Sequence, residues 1–225
     1  MNIQGIVFDF DGVLVDTEWA IYSSWARLYE REGCTIPLER FNECLGSGYT
    51  RWDPGVWLEH LTGRQYDWKK ENAARQVEIE RDLEQTGLMP GAAELLNFIE
   101  TQGLPMAVAS SSSRHWVEGW LRRLGIFNRF QGTFCRTDGY PVKPAPDLFL
   151  AAAHCLRLQP EHCLVFEDSA NGVLAAHCAG MPCIALPNRV TCCADFSTAF
   201  CKMKDLGEAL IFLKERIFPK INSRQ

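Results

Sequence analysis

The chain has 225 residues, 47% hydrophobic and 23% charged, which is enough apolar content for a sizeable core and too much for a predominantly disordered chain. Its formal net charge of −5 and the lack of any Lys/Arg-rich run argue against a nucleic-acid or anionic-membrane partner. No run approaches the roughly 18 apolar residues that span a bilayer, and MNIQGIVFDFDG has no basic region followed by a long apolar stretch, so no export signal is visible.

Ile3 to Phe8 is a short β-branched run closed by Asp-Phe-Asp-Gly and reads as a buried strand. Residues 17–86 then read as entirely helical, with helices over Trp19–Arg31, Leu38–Leu45 and Tyr66–Gln85. Trp19, Trp25, Trp52, Trp57 and Trp68 all fall here; bulky residues suit the core of a small bundle, and one or two could line a pocket facing the sheet. Asp16–Thr17 and Thr86–Gly91 read as the outgoing and return hinges. Beyond them, helices are predicted over Gly91–Gln102, Arg114–Leu124, Ala145–Leu156 and Ala170–Ala179, three of them closed by a glycine. Strands are predicted over Pro105–Ala109, Gly132–Cys135, Cys163–Phe166 and Met181–Leu186. Strands alternating with helices imply a doubly wound parallel α/β sheet of Rossmann-like type, formed by residues 1–16 and 87–225, with 17–86 inserted as a small helical-bundle domain.

Several of the ten cysteines lie in apolar runs, where a reduced thiol acts as a small hydrophobe. With no export signal visible, the expectation is free thiols in a reducing, cytoplasmic compartment. The His-Cys dipeptides at 154–155, 162–163 and 177–178 lack the spacing of a zinc site.

The chemistry concentrates at strand ends. The first strand ends at Asp9, with Asp11 two residues on; the second ends at Ser110; Lys143 follows the third; the fourth ends at Glu167 and Asp168. Ligands of open α/β sheets bind beyond the carboxyl ends of the strands, so this topology gathers four carboxylates, a hydroxyl and an ammonium in one crevice. Clustered carboxylates raise one another's pKa unless a cation sits among them, and an all-oxygen set beside an anion site suits Mg²⁺. Ser110 to Ser113 open a helix, so backbone N–H groups there, Ser111 among them, can face a phosphate. Phosphoryl transfer is the chemistry these parts suit, with an aspartate able to act as covalent nucleophile.

Four segments carry a resemblance. DFDGVLVDTE at 9–18, the strand end AVAS at 107–110, VKPAPD at 142–147 followed by Phe149, and VFEDSANG at 165–172 are similar, in order, to the four motifs of the haloacid dehalogenase-like (HAD) superfamily. The resemblance covers nearly the whole chain, and a helical insert after the first motif is similar to that of members with a helical cap. It implies Asp9 as nucleophile and Mg²⁺ ligand. It implies Asp11 as general acid/base, with its backbone carbonyl on the metal. Ser110 would hold the phosphoryl group and Lys143 would neutralise charge on it; Glu167 and Asp168 would complete the metal site.

Asp11 argues against dehalogenation, which has no leaving oxygen to protonate. The pattern, with DGVLVDTE, KPAPD and FEDSANGV, resembles the β-phosphoglucomutase and sugar-phosphate phosphatase branch. Members that are mutases carry a cap histidine, where Ile21 stands here, and a basic cap-loop residue, where Gly46 stands; Arg51 is near but out of register. Asp11 is therefore expected to be free to activate water whenever Asp9 is phosphorylated. The reading is a Mg²⁺-dependent phosphatase of a small phosphorylated metabolite, a sugar phosphate in particular, acting as a monomer through an aspartyl-phosphate. A β-phosphoglucomutase-type mutase is the alternative.

Overall fold

In a computed structural model, which describes residues 2–49 and 51–219, six parallel strands form one sheet. They are β1 (Gly5–Phe8), β2 (Met106–Ser110), β3 (Gly132–Cys135), β4 (Cys163–Glu167), β5 (Cys183–Ala185) and β6 (Cys201–Lys202), in the order β3-β2-β1-β4-β5-β6. Phe8 pairs with Val108 on one side and with Phe166 on the other, so β1 is central and the order reverses between β1 and β4. That reversal opens the crevice in which such sheets bind ligands.

Side chains alternate across the sheet, as the period of two requires. Ile6, Phe8, Val108, Leu164, Phe166 and Ile184 face a core closed by α5 (Ala92–Thr101), α6 (Arg114–Arg123) and α9 (Leu206–Phe212). Val7, Ala107, Ala109, Val165 and Ala185 face the other side, under α7 (Asp147–Leu156) and α8 (Ala170–Cys178). The second face is rich in alanine, on the strands and at Ala152, Ala153, Ala175 and Ala176, which lets these helices lie close to the sheet. Each large apolar side chain buried here contributes about 1.5–3 kcal/mol.

Among the described residues, 18–82 hold four helices: α1 (Glu18–Arg31), α2 (Leu38–Phe41), α3 (Pro54–Thr62) and α4 (Trp68–Asp82). They enclose their own apolar cluster, with Trp25, Tyr29, Phe41, Trp52 and Leu58 buried and Trp57 and Trp68 packed against it. None of the strands comes from residues 17–86 among those described. The segments that leave and re-enter the sheet region run side by side: Val15 bridges Leu88, and the Met89 N–H donates to the Leu14 carbonyl at 2.9 Å.

Three expectations are corrected in detail. The helix expected over Leu38–Leu45 stops at Phe41, and the chain turns through Gly46 and Gly48, both at positive φ. The helix expected over Tyr66–Gln85 runs from Trp68 to Asp82. Pro54–Thr62, to which no separate helix was assigned within the segment read as helical, forms one; Asp53 caps it, accepting from the Gly55 and Val56 N–H groups, and Pro54 opens it. All ten cysteines are free thiols. Among the described residues no helix is long and apolar enough to cross a membrane.

Candidate active site

The residues predicted from the strand ends converge. Asp9 follows β1, its N–H donating to the Phe166 carbonyl on β4 at 2.9 Å. Lys143, only 1% exposed, donates from Nζ to Asp9 Oδ1 at 2.5 Å and to Glu167 Oε1 at 2.6 Å. Its ammonium also lies 4.7 Å from the Phe149 ring centroid. The other Glu167 oxygen accepts from the Ser169 N–H and hydroxyl, at 2.8 and 3.0 Å. Ser169 in turn caps α8 by accepting from the Gly172 N–H.

Two glycines make room for these carboxylates. A Cβ on Gly172 would stand 1.6 Å from Glu167 Oε1, so the acid occupies the space of a missing side chain. Gly12 has φ +75°, and a Cβ there would lie 2.1 Å from Asp168 Oδ2.

Asp9, Glu167 and Asp168 each offer an oxygen within 4.8 Å of the others, and all three are buried. Burial pushes Asp9 up to about 8; Lys143 opposes the rise, while Glu167 and Asp11 add to it. Burial, then Glu167 and Glu18, hold Asp168 well above the usual carboxylate range. Burial opposes charge on Lys143, but Asp9 and Glu167 outweigh it and keep the ammonium above its ordinary value. One ammonium among so many buried acids leaves an excess of negative charge that a divalent cation relieves. A compact all-oxygen donor set suits a hard ion such as Mg²⁺, so the residues fit one.

The Asp11 carboxylate stands outside that triad. Thr17 Oγ1 donates to its Oδ1 at 2.6 Å and the Trp116 indole N–H at 2.9 Å; Ser112 Oγ donates to Oδ2 at 2.6 Å and Ser110 Oγ at 3.3 Å. Four donors thus hold the Asp11 carboxylate. Ser111 lines the cavity, and its hydroxyl accepts from the Lys143 N–H at 3.2 Å. Ser113 caps α6, accepting from the Trp116 N–H.

A cavity of about 430 Å³ lies between these strand ends and the helical segment. Asp9, Asp11, Asp168 and Trp116 form its floor; Ile21, Leu45, Gly46, Arg75 and Ile79 belong to its helical wall. Of the five tryptophans in the insert, none lines it among the described residues. Ile21 and Gly46 both border the cavity, and neither side chain can hydrogen-bond a ligand there. Arg51 instead donates to Asn171 Oδ1 at 3.0 Å, and Asn171 Nδ2 donates to the Leu45 and Glu43 carbonyls at 2.7 and 3.2 Å. One α8 side chain thereby ties Glu43, Leu45 and Arg51 to the helix that follows β4.

The sequence reading gave no role to Glu18, Trp116, Arg75 or Asn188. Glu18 is 8% exposed beside the other acids; burial, then Asp11 and Asp9, hold it well above the usual range. Asn188 Nδ2 donates to Asp168 Oδ2 at 2.7 Å. Asn188 lies just past β5, so the strand-end rule applied once more would have found it.

The chain is similar in sequence and in fold to known proteins. A family model described as haloacid dehalogenase-like hydrolase matches residues 3–180. The Bacillus subtilis (strain 168) protein named as phosphatase YhcW is 35% identical over 189 residues, which is 84% of this chain and 86% of that protein. Beta-phosphoglucomutase of the same strain is 30% identical over 189 residues, 80% of this chain and 81% of its own length. The crystal structure of a HAD family hydrolase from Deinococcus radiodurans R1 with bound phosphate and sodium superposes with a TM-score of 0.77 at 25% identity, covering 97% of this chain and 98% of that one.

Proposed function

Since the chain belongs to the haloacid dehalogenase-like hydrolases, we propose that it is a Mg²⁺-dependent phosphatase of a small phosphorylated metabolite, a sugar phosphate in particular, working through an aspartyl-phosphate on Asp9. The observation that carries this reading is the pairing of Asp9 with the buried Lys143 at the sheet's switch point, with Asp11 two residues on.

Asp9 attacks phosphorus and the ester oxygen leaves with a proton from Asp11. Asp11, now a base, takes a proton from the water that then attacks the phosphoryl group, releasing phosphate and restoring Asp9. Lys143 balances charge on Asp9 and on the phosphoryl oxygens, and Ser110 with the backbone of Ser111 supplies donors to them. Mg²⁺ held by Asp9, Glu167, Asp168 and the Asp11 carbonyl would supply further charge neutralisation to the phosphoryl oxygens. Residues 17–86 act as a cap that closes over the cavity and excludes bulk water; the side-by-side connections at Val15 and Leu88 support this reading.

Turnover of p-nitrophenyl phosphate with Mg²⁺, lost in EDTA and in Asp9→Asn, tests the proposal; full activity in excess EDTA would refute the metal dependence. A β-phosphoglucomutase-type transfer is the second reading. The four-donor tether on Asp11 favours it, because a mutase must withhold its acid/base from water. Ile21 and Gly46 weigh against it. Phosphorus NMR on β-glucose 1-phosphate with a trace of bisphosphate separates the two: hydrolysis yields inorganic phosphate, and mutase action yields glucose 6-phosphate.

A further inference from the structure

Cys192 and Cys193 lie on the turn that follows β5, and both thiols are exposed, although cysteine is among the most buried residue types. Their sulfur atoms are 3.6 Å apart. Successive side chains of an extended chain point to opposite sides, so the contact is made by the turn, which brings both thiols to one side. Across the pair, the Ala194 N–H donates to the Thr191 carbonyl at 2.9 Å.

The other side of this turn is fixed. Val190 and Thr191 are fully buried, Val190 within the apolar cluster of the helical segment. Asn188 closes the turn: its N–H donates to Thr191 Oγ1 at 3.0 Å, and its Oδ1 accepts from the Val190 and Thr191 N–H groups at 2.8 and 3.1 Å. With Oδ1 so engaged, the amide NH₂ is the end that reaches Asp168 Oδ2, at 2.7 Å. The two thiols thus share one hydrogen-bonded turn with the residue that holds a carboxylate of the acidic cluster.

We propose that Cys192 and Cys193 form a modification site for a peroxide, and that its closure into a disulfide loosens Asn188 from Asp168 and so weakens the metal site. The coupling rests on the Mg²⁺ reading of that site. In the first step one sulfur attacks the peroxide: an S–O bond forms, the O–O bond breaks, and the thiol proton leaves in a water. In the second the other sulfur displaces the sulfenic oxygen: an S–S bond forms, the S–O bond breaks, and a second water leaves with the second thiol proton. The two thiols together lose two electrons, and one hydrogen peroxide is reduced to two waters. An external thiol reverses the closure by exchange.

Adjacent Cα atoms are about 3.8 Å apart across a trans peptide, below the roughly 4.4–6.8 Å usual for a disulfide. Drawing the sulfurs from 3.6 Å to bonding distance therefore moves the backbone of the turn, and the bonds from Thr191 and Val190 carry that movement to Asn188. An exposed bond outside the usual spacing is also readily reduced, as reversible control requires.

The test treats the full chain with hydrogen peroxide in small molar excess, alkylates the remaining thiols and maps the peptide over residues 190–202 by tandem mass spectrometry. The expected product has lost two hydrogens, with the link between Cys192 and Cys193 and with Cys201 alkylated. Alkylation of both Cys192 and Cys193, or a link from either to another cysteine, overturns the site. Calorimetric titration with Mg²⁺ reads the coupling. The dissociation constant rises about tenfold or more on oxidation, within the range by which groups that orient metal ligands act, and it returns with dithiothreitol. Cys193→Ser, at an exposed position, keeps its Mg²⁺ affinity through the same treatment. Unchanged affinity in the oxidised chain, or an equal loss in Cys193→Ser, overturns the inference; should that variant fail to fold, Cys192→Ser takes its place. Absence of Mg²⁺ binding by the reduced chain strikes the metal reading and the coupling with it, and the peptide map still decides the dithiol site.

Discussion

The indole N–H of Trp116 donates to Asp11 Oδ1 at 2.9 Å, joining the first turn of α6 to the acid that follows β1. The pair fixes the orientation of Asp11 together with Thr17 and the serines.

Replacing Trp116 with Phe keeps the ring against Asp11 and deletes the donor. A hydrogen bond to a charged group is worth about 1.5–3 kcal/mol, so kcat with a poor leaving group falls about tenfold or more. The loss is smaller with p-nitrophenyl phosphate, whose leaving group needs little protonation. Faster release of inorganic phosphate in Trp116→Phe would mean that the tether withholds Asp11, as a mutase requires.

Gly172→Ala drives a methyl group into the Glu167 carboxylate. The acid must swing away from Lys143 and from the cluster it forms with Asp9 and Asp168. Outer residues that orient metal ligands typically change affinity 10–100-fold, so the Mg²⁺ concentration for half-maximal activity rises by about that factor. An unchanged Mg²⁺ titration would show that Glu167 is not held as described.

Asn171→Ala removes the hydrogen bonds that tie the 43–51 segment to α8. At about 1 kcal/mol for each of one or two effective bonds, KM rises about 5–30-fold, while the sheet domain melts nearly as before. A loss confined to kcat would argue that the segment does not shape substrate binding.

The buried acids also fix a pH dependence of stability. Asp9 is raised from 3.8 to about 8 in the fold, mainly by burial, and Asp168 and Glu18 are raised in the same direction. An acid raised on folding binds more protons in the folded than in the unfolded state. Its contribution is therefore present below the unfolded value of about 4 and is lost as pH climbs through the folded one. Without divalent metal, the melting temperature falls between pH 5 and pH 8. Mg²⁺ binds the ionised acids, so its stabilising effect is larger at pH 8 than at pH 5. Scanning calorimetry at the two pH values, with Mg²⁺ or EDTA, checks both signs.

The positions of Asp9, Asp11, Ser110, Lys143, Glu167 and Asp168 were legible because apolar strand runs are easy to find and a parallel sheet brings their carboxyl ends together. What was not legible depends on packing between elements far apart in sequence. Trp116 reads as one more aromatic on an amphipathic helix, and only the approach of α6 to Asp11 gives its indole a role. Arg75 lies in a helix with Lys69, Lys70 and Arg81, and nothing in that run marks it as the buried cation; its seat on Trp25 does. The helix over Pro54–Thr62 was given no bounds of its own within a segment read as helical throughout, although Asp-Pro at 53–54 is a legible start.

The central claim is that Asp9 takes the phosphoryl group. Rapid-quench mass spectrometry during turnover tests it most directly, in the Asp11→Asn variant so that removal of the phosphoryl group by water is slowed. The account predicts a peptide spanning residues 5–15 heavier by one phosphoryl group, localised to Asp9, appearing within the first turnover and absent in Asp9→Asn. Steady hydrolysis with no labelled peptide at any quench time, or the label on another residue, would contradict it.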